Sequence, residues 1–191
     1  MTIAPPAFSP QLHPLVTAEE FFERFGDSGG CELVDGRIQE MPMLGGIHGK
    51  VCLNVGFHLK LYLMRNPIGH AMSNDTFVLL KRDPDTMRGP DICYVSFDKI
   101  PQNALPSGAL SIPPELIFEV LSPSDTVKAT TSKIQEYLTA GVTVGILLNP
   151  DTRTATIFRS QAAEQTFAAN ETLTIPDILP GFAVKAGDFF A

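Results

Sequence analysis

The sequence predicts a mixed α/β fold, a central mixed β-sheet flanked by helices. Three observations point to it. Three segments carry apolar residues at helical spacing, short β-rich runs bounded by Pro and Gly lie between and after them, and 44% of the 191 residues are hydrophobic, enough for one core. A chain of this length with one such core is expected to form a single domain over residues 15–191.

Residues 1–14 hold four prolines and little periodicity, which predicts a loosely ordered arm. Order begins at "TAEEFFERFG". Thr17 followed three places on by Glu20 is a capping-box pattern, Phe21, Phe22 and Phe25 form an apolar stripe, and Gly26 stops the helix. In "CELVDGRIQEM" two short alternating runs flank Asp-Gly, a hairpin signal. A second helix is expected over "GIHGKVCLNVGFHLKLYLMRN", where Val51, Val55, Leu59, Tyr62 and Leu63 recur on one side and Pro67 lies just beyond. Strands follow at 75–80, 91–97 and 115–121, with a proline-rich loop over 98–114. After "SPSD" a third helix runs to about Ala140, with Val127, Ile134, Tyr137 and Leu138 on one side and Gly141 as its stop. Strands at 144–149 and 154–159 are joined by the turn "PDTR", and a turn-rich tail closes with Phe189 and Phe190 against the core.

Whole-chain properties exclude several classes. A net charge of −7 argues against wrapping nucleic acid through an overall positive field, although bound cations or a local groove would escape that argument. Cys31, Cys52 and Cys93 are odd in number and far apart, so neither a disulfide framework nor a structural zinc site is expected, which suits a reducing cytoplasm. No signal-peptide pattern opens the chain, and no apolar run is long enough to cross a membrane. No GxSxG is present, and "MLGGIHGK" lacks the P-loop register.

Two acids stand out. Glu119 lies inside the apolar run "ELIFEVL", where a carboxylate faces either solvent or a polar site. Asp91 opens "DICYV" after Gly89 and Pro90; it is equally the kind of acid that forms turns. If these strands are neighbours, the two carboxylates converge, and such a pair needs a proton or a divalent cation, with magnesium or manganese suiting oxygen ligands. Glu32 in the hairpin could join them. Lys133, on the helix after the Glu119 strand, could turn its ammonium toward that strand's end and stabilise phosphate charge or orient water; a solvated surface lysine is the plainer reading. His48, near the start of the second helix, could face the site or simply pack.

In this combination the sequence resembles the Uma-two family of restriction-endonuclease-like proteins, a bacterial group abundant in cyanobacteria. "CELVDGRIQEM" is similar to its hairpin, which a histidine-led helix follows, here from His48. "GPDICYV" is similar to its "PD" strand, "PELIFEVLSPS" to its "EVLSPS" segment, "KIQEYLTAGV" to its lysine helix and "LPGFAVKAGDFF" to its closing segment. The resemblance implies a restriction-endonuclease-like fold and the PD-(D/E)xK constellation, with the lysine moved from the position of Leu121 to that of Lys133. It further implies Asp91 and Glu119 as ligands of Mg2+ or Mn2+, the Val120 carbonyl as a further ligand, Lys133 acting on water or phosphate, Glu32 as an accessory acid and Tyr137 sharing the lysine's face. Two departures stand against it: Ala129 replaces an acid common four residues before the lysine, and "VGILLNP" replaces "EYWLVDP".

The function implied is metal-dependent endonucleolytic hydrolysis of DNA by a cytoplasmic bacterial enzyme, with a homodimer compatible with cutting two strands. The alternative is a catalytically weak or inactive nucleic-acid-binding or regulatory module on the same fold. "KRDPDTMR", the one modestly basic stretch, reads either as a phosphate-contacting loop or as a solvated hairpin tip.

Overall fold

The computed structural model describes residues 14–26, 30–73 and 76–191. Except for Pro14, the arm expected over residues 1–14 lies outside the described residues, as does Asp75 at the start of an expected strand.

Helix α1 (Ala18–Phe25) opens with the full capping box: Thr17 Oγ1 accepts from the Glu20 amide and Glu20 Oε2 from the Thr17 amide. It ends at Gly26 in a right-handed conformation (φ −56°), so this glycine stops the helix without a left-handed cap. Strands β1 (Cys31–Val34) and β2 (Arg37–Glu40) form the expected hairpin. Asp35 and Gly36 between them both have positive φ (49° and 72°), as a type I′ turn requires.

Helix α2 (Gly46–Arg65) is followed by β3 (Gly69–Ser73), β4 (Val78–Lys81) and β5 (Thr86–Arg88), then β6 (Ile92–Ser96) and β7 (Leu116–Val120). Helix α3 (Val127–Thr139) leads to β8 (Val144–Asn149) and β9 (Thr154–Phe158). Three short strands, β10 (Gln165–Phe167), β11 (Thr172–Thr174) and β12 (Ala183–Lys185), and a 3-10 turn (Ala186–Phe190) complete the chain.

The strands make a six-stranded sheet in the order β10-β9-β8-β7-β6-β3, a four-stranded sheet β2-β1-β5-β4 and a two-stranded β11-β12 ladder. In the large sheet β7 and β8 are parallel and the other neighbours antiparallel. A parallel pair needs a crossover, and α3 is that crossover. Alternate residues of β7 face opposite ways: Leu116, Phe118 and Val120 pack with α2 and the C-terminal segment, Ile117 with Ile134, Tyr137 and Leu138 of α3. With both faces covered, β6 and β7 read as near-continuous apolar runs. A third cluster joins Phe21 of α1 to Leu33 and Met87 of the small sheet.

One expectation needs correction. Val127 is 53% exposed although its spacing put it on the buried side of α3; directly after the N-cap Thr126 it lies beyond the end of the core, and Thr130 takes the buried place one turn on. Strands β3 and β5 carry no strong local signal: "GHAMS" lacks β-branched and aromatic residues, and "TMR" is three residues long. Of the two readings of "KRDPDTMR", the structure agrees with the hairpin tip: β4 and β5 pair across it, and its cations are paired, Lys81 with Asp35, Arg82 with Glu19 and Asp85, and Arg88 with Glu32 and Glu136.

Helix α3 lies close over β8 at one point. A Cβ on Gly145 would stand 2.5 Å from Ile134 Cγ2, so the side chain missing at 145 makes room for the helix. Gly145→Ala is expected to cost about 1–3 kcal/mol by overpacking. Urea unfolding measures it, and an unchanged midpoint would contradict this account.

Candidate functional site

Strands β6 and β7 are antiparallel neighbours with Ile92 opposite Phe118. One step further along this register Asp91 lies opposite Glu119, so the two acids share a sheet end and line one cavity of about 270 Å³ with Glu32, His48, Val120 and Lys133. The Val120 amide donates to Asp91 Oδ2 at 2.7 Å, and His48 Nε2 lies 3.2 Å from the same oxygen. Among the described residues, both hydrogen bonds of Asp91 therefore end on one of its two oxygens.

Lys133 enters from α3. Its Nζ stands 3.0 Å from Glu32 Oε1 and 3.0 Å from Glu119 Oε1, and it donates to Glu119 Oε2 at 3.2 Å. Glu119 Oε1 thus meets the same ammonium as an ion pair. Glu32, brought by β1 of the small sheet, is also held by Arg88 Nη1 at 2.7 Å and the Gly89 amide at 3.0 Å. Arg88 in turn binds Glu136 on α3 at 2.7 Å. The small sheet and α3 are thus tied together by charge around the cavity.

Two carboxylates compete for one ammonium, and their surroundings differ. Burial opposes charge on Glu32, but Lys133 and Arg88 outweigh it and hold the carboxyl below its usual range. Burial pushes Glu119 up to about 8; Lys133 counters, while the neighbouring charges of Asp91 and Glu32 add to the rise. Burial likewise disfavours the Lys133 ammonium, but Glu119 and Glu32 outweigh it and the amine is held above its usual value. A charged Lys133 that leans on Glu119 and a Glu119 protonated near neutrality pull in opposite directions. Glu32 resolves this: with Arg88 as a second partner it stays ionised and keeps Lys133 charged, so Glu119 is the group that gives up its charge.

His48 sits at the start of α2 and is buried. Burial lowers its basicity, and the hydrogen bond and charge of Asp91 outweigh burial, leaving it above the ordinary histidine value. Its Nδ1 lies 3.5 Å from Cys52 Sγ, one helical turn away. Donor atoms of His48, Cys52 and Asp91 all lie within 4.8 Å of one another, a grouping able to hold a metal ion. Tyr137 is fully buried one turn after Lys133 and does not line the cavity. Burial first, then the charges of Glu119 and Glu32, hold its hydroxyl well above the usual phenol value.

The structure thus brings Glu32, Asp91, Glu119, Lys133, His48 and Val120 to one cavity and leaves Tyr137 behind it. Sequence reading missed Arg88, Gly89 and Cys52. For Arg88 the available signal was a cation two places before the "PD" pair; for Cys52 it was the i,i+4 spacing from His48. Ala129 is exposed, with its amide capped by Thr126, while Asp125 lines the cavity one turn earlier.

A family model described as "Putative restriction endonuclease", Uma2, matches residues 18–187. The crystal structure of a "putative nuclease" from Anabaena variabilis superposes with a TM-score of 0.79 at 22% identity, covering 92% of this chain and 97% of that one. That likeness shows the fold, the mixed sheet flanked by helices. No curated protein matches.

Arg88→Met leaves Glu32 buried with half its compensation, and is expected to lower stability by about 3 kcal/mol. Denaturant unfolding checks it, and a loss under about 1 kcal/mol would mean that Lys133 alone suffices.

Proposed function

The chain belongs to the Uma2 family, and from that premise we propose that it is a divalent-metal-dependent endonuclease hydrolysing phosphodiester bonds of DNA. The observation that carries the reading is the convergence of the buried Glu119 carboxylate, the Asp91 carboxylate and the Lys133 ammonium on one cavity. Buried carboxylates crowded in this way cost free energy unless a proton or a cation offsets their charge.

The residues fit Mg2+ or Mn2+. Asp91 and Glu119 offer hard oxygen donors, the chemistry these ions prefer, with the Val120 carbonyl as a further ligand. A bound divalent ion supplies Lewis acidity toward a phosphodiester oxygen and toward water. His48 and the Val120 amide fix Asp91 by binding Oδ2, which keeps its other oxygen directed. Lys133 holds a positive charge at the cavity wall, where it offsets charge gathering on the phosphate or orients water. Glu32 keeps that ammonium charged and in place.

Metal binding competes with the proton on Glu119. Below the raised value of about 8 the ion must displace that proton, and above it the carboxylate is already free. Mg2+ affinity measured by calorimetry is therefore expected to rise about tenfold per pH unit up to about pH 8 and then level off. A flat profile from about pH 6 to 9 would remove Glu119 from the ligand set.

Asp91→Ala and Glu119→Gln are each expected to lower cleavage of DNA by about a hundredfold or more while circular dichroism shows the fold retained. Glu119→Gln should also abolish the calorimetric Mg2+ signal. If wild-type protein cuts neither single- nor double-stranded DNA with Mg2+ or Mn2+, the nuclease reading fails.

A further inference from the structure

Helix α2 is apolar on its outer side as well as its inner one. Val51, Val55, Leu59 and Leu63 are buried against the large sheet. On the opposite side Leu53 (72% exposed), Phe57 (59%) and Met64 (73%) stand in solvent. At 3.6 residues per turn Gly46, Gly49, Leu53, Phe57, Lys60 and Met64 fall along one line of the helix, with Lys60 its one charged member. Leu61 flanks the line, and Met43 and Leu44 extend it before the helix begins.

These side chains present on the order of 600 Å² of apolar surface or more, at the upper end of the largest patch on a monomer. That area approaches the roughly 800 Å² per partner of a standard protein interface.

The line is also sorted by size. Its N-terminal half has Gly45, Gly46 and Gly49, where an added methyl group would meet nothing within 4 Å, and its C-terminal half has Phe57, Leu61 and Met64.

We infer that this face is the interface between two copies of this chain, with the two α2 helices packed antiparallel about a two-fold axis at Leu53. An isologous contact must fit itself, and this order of sizes does. With Leu53 on the axis, Phe57 of one copy meets Gly49 of the other, and Lys60 meets Gly46, bulk against gap. A groove of about 450 Å³ lined by Gly45, His48, Gly49, Leu53 and Phe57 receives the incoming ring. An axis two residues further along would set Lys50 against Lys60; the axis at Leu53 keeps them apart. A partner of unrelated sequence would require no such match between the two halves of one helix. The packing sets the two copies of His48 roughly 15 Å apart along the helix direction, at 1.5 Å rise per residue.

Sedimentation velocity of the full chain over a micromolar concentration series tests the interface without reference to activity. The wild-type chain is expected to sediment as a dimer. Leu53→Glu and Phe57→Glu, both at exposed positions, should each raise the dissociation constant about a hundredfold by placing a charge at the centre of the contact. Gly49→Phe should weaken the dimer similarly by filling the gap without adding charge. Far-ultraviolet circular dichroism matching wild type establishes that each variant is folded. A wild-type chain that stays monomeric throughout the series overturns the proposal. So does a dimer that survives both glutamates, and one that Gly49→Phe leaves intact overturns the antiparallel packing.

Discussion

One ammonium facing two buried carboxylates is the constraint on which the site depends. Lys133 stands equally close to Glu32 and Glu119, but among the described residues only Glu32 has a second cation, Arg88, at hydrogen-bond distance. The inequality assigns different states to two chemically alike side chains. Glu32 remains an anion that anchors the lysine, and Glu119 is left with more negative surroundings than its own burial tolerates. Protonation relieves that, and so does a cation. In the proposed function, such an acid exchanges one for the other when a metal ion binds.

Four different parts of the fold bring these groups together. Asp91 and Glu119 come from adjacent antiparallel strands of the large sheet, whose register sets their separation. Lys133 comes from the crossover helix that the parallel β7-β8 pair demands. Glu32 and Arg88 come from the smaller sheet, whose hairpins carry them over the end of the larger one. His48 comes from the opposite face, at the start of α2, and reaches Asp91 because that residue sits just outside its strand, where both faces are accessible.

Much of this was legible in the sequence where one local rule acted alone. The capping box of α1, the Asp-Gly hairpin and the apolar runs of β6, β7 and β8 follow from patterns a few residues long. Glu119 was legible because an acid inside a covered strand contradicts its neighbours. Lys133 and Glu32 were legible as residues able to join the two acids, and the resemblance to a family added the displaced position of the lysine. What stayed hidden was set by contacts between distant segments. Arg88 looked like part of a basic loop, yet its partners lie 56 and 48 residues away, and no local pattern announces them. Strand β3 forms because β6 offers it an edge, since "GHAMS" has little tendency of its own. Tyr137 shares the lysine's helix face as the resemblance implied, but its hydroxyl ends behind the cavity wall.

The bare backbone at Gly145 reaches beyond packing. Ile134, which rests there, is the residue next to Lys133. The depth at which the crossover helix settles on the sheet therefore governs how far the amine extends toward the acids. Positions 134 and 145 trade volume: a larger group at one demands a smaller group at the other, or a helix lifted outward and an amine drawn back from its carboxylates. A relative with an aromatic residue at that strand position has to solve the same clearance differently, and the two sites should vary together as sequences drift.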